Sequence, residues 1–97
     1  MLTRQDVLQA AEQCVCRDRE NTYGEPENNF QTIANFWDTW LMARYHKRDQ
    51  IQIDALDVSM MMGLLKVART VSNPKHNDNY IDGCGYLACA AEIAGKM

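Results

Sequence analysis

The chain has 97 residues, of which 46% are hydrophobic and 24% charged, and its formal net charge at pH 7 is −3. This length suits a single helical domain over residues 1–97 and excludes a two-domain enzyme, while the apolar content excludes a disordered chain. The acidic balance excludes the broad positive potential that proteins use on duplex DNA. Because so short a chain buries little surface alone, we expect it to self-associate.

No apolar run approaches the roughly 18 residues of a membrane-spanning helix, so we expect an intracellular protein that does not bind membranes. The four cysteines do not have the Cys-x-x-Cys spacing of a zinc site, since Cys14 and Cys16 are two apart and Cys84 and Cys89 five apart. We therefore predict reduced, mostly packed thiols and no resident cofactor.

The first two predicted helices are separated by a sharp corner. Thr3 and Asp6 have the spacing of a capping box, and apolar residues then recur at helical spacing to about residue 18. Gly24 can adopt a positive φ, and Pro26 is suited to the first turn of a second helix that ends near Tyr45. The residues predicted on its buried side are Phe30, Ile33, Ala34, Trp37, Trp40 and Leu41.

The third predicted helix begins after an Asp54 N-cap and ends at Asn73–Pro74, and the fourth runs from about Asp78 to Ala94. Apolar side chains surround most of the third helix, so we expect it to be central. Only a narrow stripe of the surface of this helix is expected to face polar surroundings, and it consists of Ser59, Gly63, Lys66 and Thr70. The fourth helix is rich in small residues. These patterns predict an all-α, compact four-helix bundle that self-associates through the third or fourth helix.

The corner between the first two helices is a candidate ligand site. Its candidate residues are Arg17, Arg19, Tyr23, Gly24 and Asn29. Arginine offers a rigid donor fork for phosphate, tyrosine a stacking face, and asparagine paired hydrogen-bonding groups for a base edge. The alternative is that the arginines complement the carboxyl end of the first helix and have no ligand.

A second set of candidates lies on the third and fourth helices. Lys66 and Arg69 are three residues apart, hence neighbours on a helix surface, and either border a cleft or face solvent. Asp82 and Tyr86 share one side of the fourth helix. Asp82 is a candidate ion-pair partner of Arg69 or of an arginine in the first helix.

Two carboxylates at the start of the third helix, Asp54 and Asp57, admit two interpretations. They form an N-terminal cap, or they join a glutamate from another helix to hold Mg²⁺ and polarise a nucleotide phosphate. No helix carries a Glu-x-x-Glu pair, so metal ligands would have to come singly from separate elements.

Four separated blocks resemble a family of small uncharacterised helical proteins from phages and prophages. They are Arg19-x-x-x-Tyr23-Gly24, then Asn29-Phe30 with Ile33-Ala34 and Trp37, then Asp57-Val58-x-x-Met61-Met62-x-x-Leu65-Lys66-x-Ala68-Arg69, then Asp78-x-Tyr80-x-Asp82-x-x-Gly85-Tyr86. The resemblance spans roughly residues 3–94 and implies a phage context, and with it the cytoplasm of a bacterial host.

Three functions are compatible with that context. The first is sequestration of a host immune nucleotide, of the cyclic nucleotide or cyclic ADP-ribose type, without turnover. Phosphates would then be held by Arg17, Arg19, Lys66 or Arg69, and a base would stack on Tyr23 or Tyr86.

The second function is magnesium-dependent hydrolysis, because the chain is distantly similar to MazG-like all-α nucleotide pyrophosphohydrolases. Of that family's two acidic motifs, the sequence imitates only one, with Asp54-x-x-Asp57. The third is a helical inhibitor or adaptor of a host protein.

Overall fold

The computed structural model describes residues 2–18, 21–22, 24–46 and 52–97. Four α-helices follow one another along this part of the chain: α1 (Arg4–Gln13), α2 (Pro26–Tyr45), α3 (Ala55–Arg69) and α4 (Asn77–Gly95). A π-helical turn, Cys14–Asp18, extends α1. Every regular element among the described residues is helical, which confirms the predicted all-α class with four helices packed against each other.

Local sequence signals fix the starts of α1 and α3. The Thr3 hydroxyl accepts a hydrogen bond from the Asp6 amide at 3.1 Å, and the Asp6 carboxylate accepts one from the Thr3 amide at 2.9 Å. Asp54 and Asp57 make the same reciprocal pair, at 2.9 and 3.1 Å. Both predicted caps are therefore confirmed, and each satisfies amides that a helix start leaves unpaired.

The corner before α2 also forms as the sequence predicts. Gly24 has φ +82°, in the region that favours glycine, and Pro26 is the first residue of α2. Further along α2, the Asp38 carboxylate accepts from the Ile53 amide at 3.1 and 3.2 Å, which ties α2 to the segment before α3. Trp40 was predicted on the buried side of α2, but its side chain is exposed.

One helix boundary differs from the prediction. α3 ends at Arg69 rather than at Asn73–Pro74, because Thr70 and Val71 bond carbonyls only three residues back and the Thr70 hydroxyl donates to the Val67 carbonyl at 2.6 Å. α4 begins at Asn77, within one residue of the predicted start near Asp78, and His76 is its N-cap.

The core lies where α4 packs against α3 and α1, and where α3 packs against α2. Its buried members include Phe30 and Ala34 of α2, Val58 of α3, and Tyr86 and Ile93 of α4. No side-chain nitrogen or oxygen atom buried among the described residues is left without a hydrogen bond.

The polar stripe predicted on α3 is the face that the structure buries. Ser59 is fully buried and its hydroxyl donates to the Tyr86 carbonyl at 2.5 Å, and Gly63 is buried against α4 as well. Met60, Leu64 and Val67 point to solvent instead. The prediction that the polar stripe of α3 faces polar surroundings was therefore wrong. Its small residues are buried instead, because they let α3 and α4 approach closely.

Among the described residues, no helix combines the length and the apolar character that crossing a membrane requires.

Candidate functional site

A pocket lies between the π-helical turn, the start of α2 and the middle of α4. Its empty space measures about 440 Å³, solvent at its mouth included. Four predicted site residues contribute to its lining, namely Gly24, Asn29, Asp82 and Tyr86. They come from two separate segments of the chain, so the fold brings together residues that the sequence holds far apart.

The corner before α2 positions the first two of these residues. The positive φ of Gly24 turns the chain into α2, and Pro26 then starts the helix. Asn29 lies one turn into α2 and is partly buried, whereas its neighbour Asn28 is exposed. Asn29 lines the pocket, and its side-chain amide has both donor and acceptor groups.

Tyr86 forms part of the pocket's aromatic wall. Its ring centroid lies 5.9 Å from that of Phe30, with the planes tilted by 39°. Its backbone carbonyl accepts the hydrogen bond from Ser59 of α3. The tyrosine is thus held by both neighbouring helices, and the pocket has a wall that is rigid and mostly apolar.

Asp82 supplies the carboxylate of the pocket and connects it to Lys66. The Lys66 ammonium lies 2.9 Å from Asp82 Oδ2, and the side chains are 15% and 34% exposed. This ion pair replaces the predicted partners of Asp82, which were Arg69 or an arginine of the first helix. Lys66 therefore reaches the pocket lining through Asp82.

The other predicted cations do not converge on this pocket. Arg17 is exposed on the π-helical turn and Arg69 is exposed at the end of α3, and neither lines the pocket. Arg19 and Tyr23 lie outside the described residues. The expected cluster of several cations around one phosphate site is therefore not formed by Arg17, Lys66 and Arg69.

Asp54 and Asp57 are engaged in the N-terminal cap of α3, with each carboxylate accepting from the other residue's amide. Within the described part of the chain, no three His, Cys, Asp or Glu side chains lie together in a way that could hold a metal ion. The capping interpretation thus accounts for both carboxylates, and magnesium binding there stays a prediction.

Sequence reasoning missed most of the apolar lining of the pocket. Val15, Phe30 and Ile81 line it, together with the thiols of Cys14 and Cys89. The four cysteines carry thiols and form no disulfide, and Cys89 is buried as predicted for a packed thiol. The spacing of Tyr86, Cys89 and Ile93 on α4 is the signal that could have indicated a shared inward face.

A second, more acidic pocket adjoins the first and shares Val15, Pro26 and Cys89 with it. Lys96 lies here, 3.5 Å from Glu27 and 3.7 Å from Glu92. The hydrogen bond and charge of Glu27 raise the pKa of Lys96 above its usual value of 10.5. Glu25 also lines this pocket, so its carboxylates outnumber its cation and disfavour phosphate.

Two phage proteins are similar to this chain. The Gene 55 protein of Mycobacterium phage D29 is 29% identical over 89 residues, which cover 92% of this chain and 54% of the relative. The Gene 55 protein of Mycobacterium phage L5 is 34% identical over 80 residues, which cover 82% of this chain and 47% of the relative. The chain therefore spans about half the length of these curated relatives.

No solved structure matches the chain. The origin of the two relatives agrees with the phage family that the sequence blocks resemble, while the similarity to MazG-like enzymes stays a prediction. The family model of DUF6378, a domain of unknown function, matches residues 6–94. Since this match covers most of the sequence, the chain belongs to the DUF6378 family.

Proposed function

We propose that this protein binds a nucleotide-type small molecule through its base, in the pocket lined by Asn29, Asp82 and Tyr86, and sequesters it without turnover. In this proposal it acts in the cytoplasm of a phage-infected bacterium, where it would capture an immune nucleotide of the host. The single observation that carries the proposal is that Asn29, Asp82 and Tyr86, chosen from separate sequence segments, line one pocket.

The lining of the pocket suits the base of a nucleotide. Ligand pockets combine apolar walls with a few polar groups that orient the ligand. This pocket has Tyr86, Phe30 and Ile81 as apolar lining and Asn29 and Asp82 as polar residues. A nucleobase offers the matching combination of flat faces and a hydrogen-bonding edge.

Charge supports a position for the phosphate of such a ligand beside Lys66. The neighbouring pocket is acidic and disfavours an anion, whereas the Lys66 ammonium lies beside Asp82 of the pocket lining. In the ligand-free protein Asp82 neutralises the charge of the Lys66 ammonium. A phosphate bound beside Lys66 would therefore share this cation with the Asp82 carboxylate. The proposal therefore assigns most of the affinity to the base and a smaller part to the phosphate.

Titration calorimetry of the full chain with a panel of cyclic and linear nucleotides tests this proposal. Asn29→Ala should weaken binding by about 1–3 kcal/mol, or roughly 5–150-fold, because it removes hydrogen bonds to the base edge. Asn28→Ala is the matched control, since Asn28 is the adjacent, exposed asparagine of the same helix. Equal losses in the two variants, or no binding of any nucleotide, would contradict the proposal.

Recovery of the ligand separates capture from hydrolysis. Nucleotide released from the complex by denaturation should be intact by chromatography, with or without Mg²⁺. Magnesium-dependent release of pyrophosphate or monophosphate would instead favour the enzyme, and its loss in Asp57→Asn would assign that carboxylate to the metal.

A further inference from the structure

The described fold exposes much more surface than a globular chain of its mass. The solvent-accessible area is 7223 Å², whereas a monomer of 11.1 kDa is expected to expose about 5,700 Å². The radius of gyration is 14.9 Å, against about 12.5 Å for a typical domain of this length. The excess of about 1,500 Å² exceeds the roughly 800 Å² that each partner buries in a standard protein interface.

An apolar groove lies between α3 and α4. Leu64 and Val67 of α3 are 63% and 62% exposed, and Leu87 of α4 is 53% exposed. Gly63 and Gly83 line the groove between these larger side chains, and its empty space measures about 800 Å³, open solvent included. Large exposed apolar patches are rare on monomeric proteins, and they commonly mark interaction surfaces.

The groove is also free of charge. All ten described residues that line it are uncharged, although the chain as a whole carries a net charge of −3. Two copies of one acidic chain repel each other, and the repulsion is smallest where the contacting faces hold no charged group. A basic or acidic protein partner would find no complementary group on this face.

The same face carries both a ridge and a channel. Met60, Leu64 and Val67 follow one another at spacings of four and three, as in the seam of paired helices. Gly63 and Gly83 leave room beside this ridge. Under two-fold symmetry, a face that carries a ridge beside a channel is self-complementary, which is what a symmetric dimer needs.

We propose that a second copy of this chain docks on the α3–α4 groove, with α3 pairing against α3 across a two-fold axis. This surface is separate from the α2–α4 pocket of the proposed function, so either proposal can fail without the other.

Sedimentation velocity of the purified full chain over a range of concentrations tests the dimer. The wild-type protein should be dimeric at micromolar concentrations. Leu64→Glu should raise the dimer dissociation constant at least 30-fold, because it buries a charge at the centre of an apolar interface. Val67→Glu provides a second, independent variant and should have the same effect.

Leu8→Glu is the matched control, because Leu8 of α1 is 61% exposed and lies outside the groove. This variant should remain dimeric, and circular dichroism should show that all three variants keep their helical content. If Leu64→Glu fails to fold, Val67→Glu decides the question. A monomeric wild-type chain at every concentration, or a dimer that dissociates equally in Leu8→Glu, would overturn the proposal.

Discussion

Gly85 determines how closely the π-helical turn can approach α4. A Cβ atom at this position would lie 2.7 Å from Val15 Cγ1, and the β-branched valine has few rotamers by which to move away. We expect Gly85→Ala to lower the free energy of unfolding by about 1–2 kcal/mol, because overpacking outweighs the better helix propensity of alanine. Urea denaturation of the purified variant measures this change.

Gly95→Ala is the control for that experiment. A Cβ atom at Gly95 would have no neighbour within 4 Å, and Gly95 lines neither the pocket nor the α3–α4 groove. The same substitution at the end of α4 should therefore leave stability unchanged or raise it by up to about 1 kcal/mol. Similar losses in both variants would show that the contact with Val15 is not what requires glycine at position 85.

The ion pair between Lys66 and Asp82 is the polar link between α3 and the pocket. Since Lys66 is only 15% exposed, Asp82→Asn should leave its charge poorly compensated and lower stability by about 1 kcal/mol. Lys66→Met/Asp82→Asn should lose less than the two single variants together. Additive losses in thermal denaturation would mean that the two side chains do not interact.

At the level of single helices, the capping box of α1 makes that helix sensitive to acid. The hydrogen bond from the Thr3 backbone amide lowers the pKa of Asp6 below its usual value of 3.8. Because the pKa of Asp6 is lower in the folded state, its ionised carboxylate stabilises the helix at pH values above the usual pKa. This stabilisation is lost as the pH falls through the lowered pKa of the folded state.

Helical ¹³Cα shifts at residues 4–8 should therefore decrease between about pH 5 and pH 2. In Asp6→Asn the same resonances should lose most of this pH dependence. Persistence of the full transition in that variant would assign it to another carboxylate.

The helices also show which features can be predicted from the sequence. The caps at Thr3 and Asp54 depend on residues three positions apart, so the pattern is complete within one turn. The buried face of α3 is different, because apolar residues surround the helix and give no preferred direction. Its orientation depends on the close approach of α4, which places Ser59 beside the Tyr86 carbonyl and leaves Leu64 exposed.

At the scale of the whole molecule, the candidate site was predictable only in part. The sequence predicts Asn29 and Tyr86 as base-binding groups and Asp82 as an ion-pair partner, and all three line one pocket. It predicts Arg17 and Arg69 as phosphate-binding groups, but both are exposed and neither lines the pocket. The distance between helices is set by packing across the fold, and a motif does not encode it.

The central claim is that a nucleotide enters the pocket beside Asn29. The most direct measurement is an NMR titration of ¹⁵N-labelled protein with the nucleotide panel, in which the side-chain amide resonances of both asparagines are followed. We expect the Asn29 amide and the Tyr86 backbone amide to shift saturably with the same nucleotide, while the Asn28 amide stays in place. Shifts confined to the α3–α4 groove, or no saturable shift at Asn29 with any nucleotide, would contradict the account.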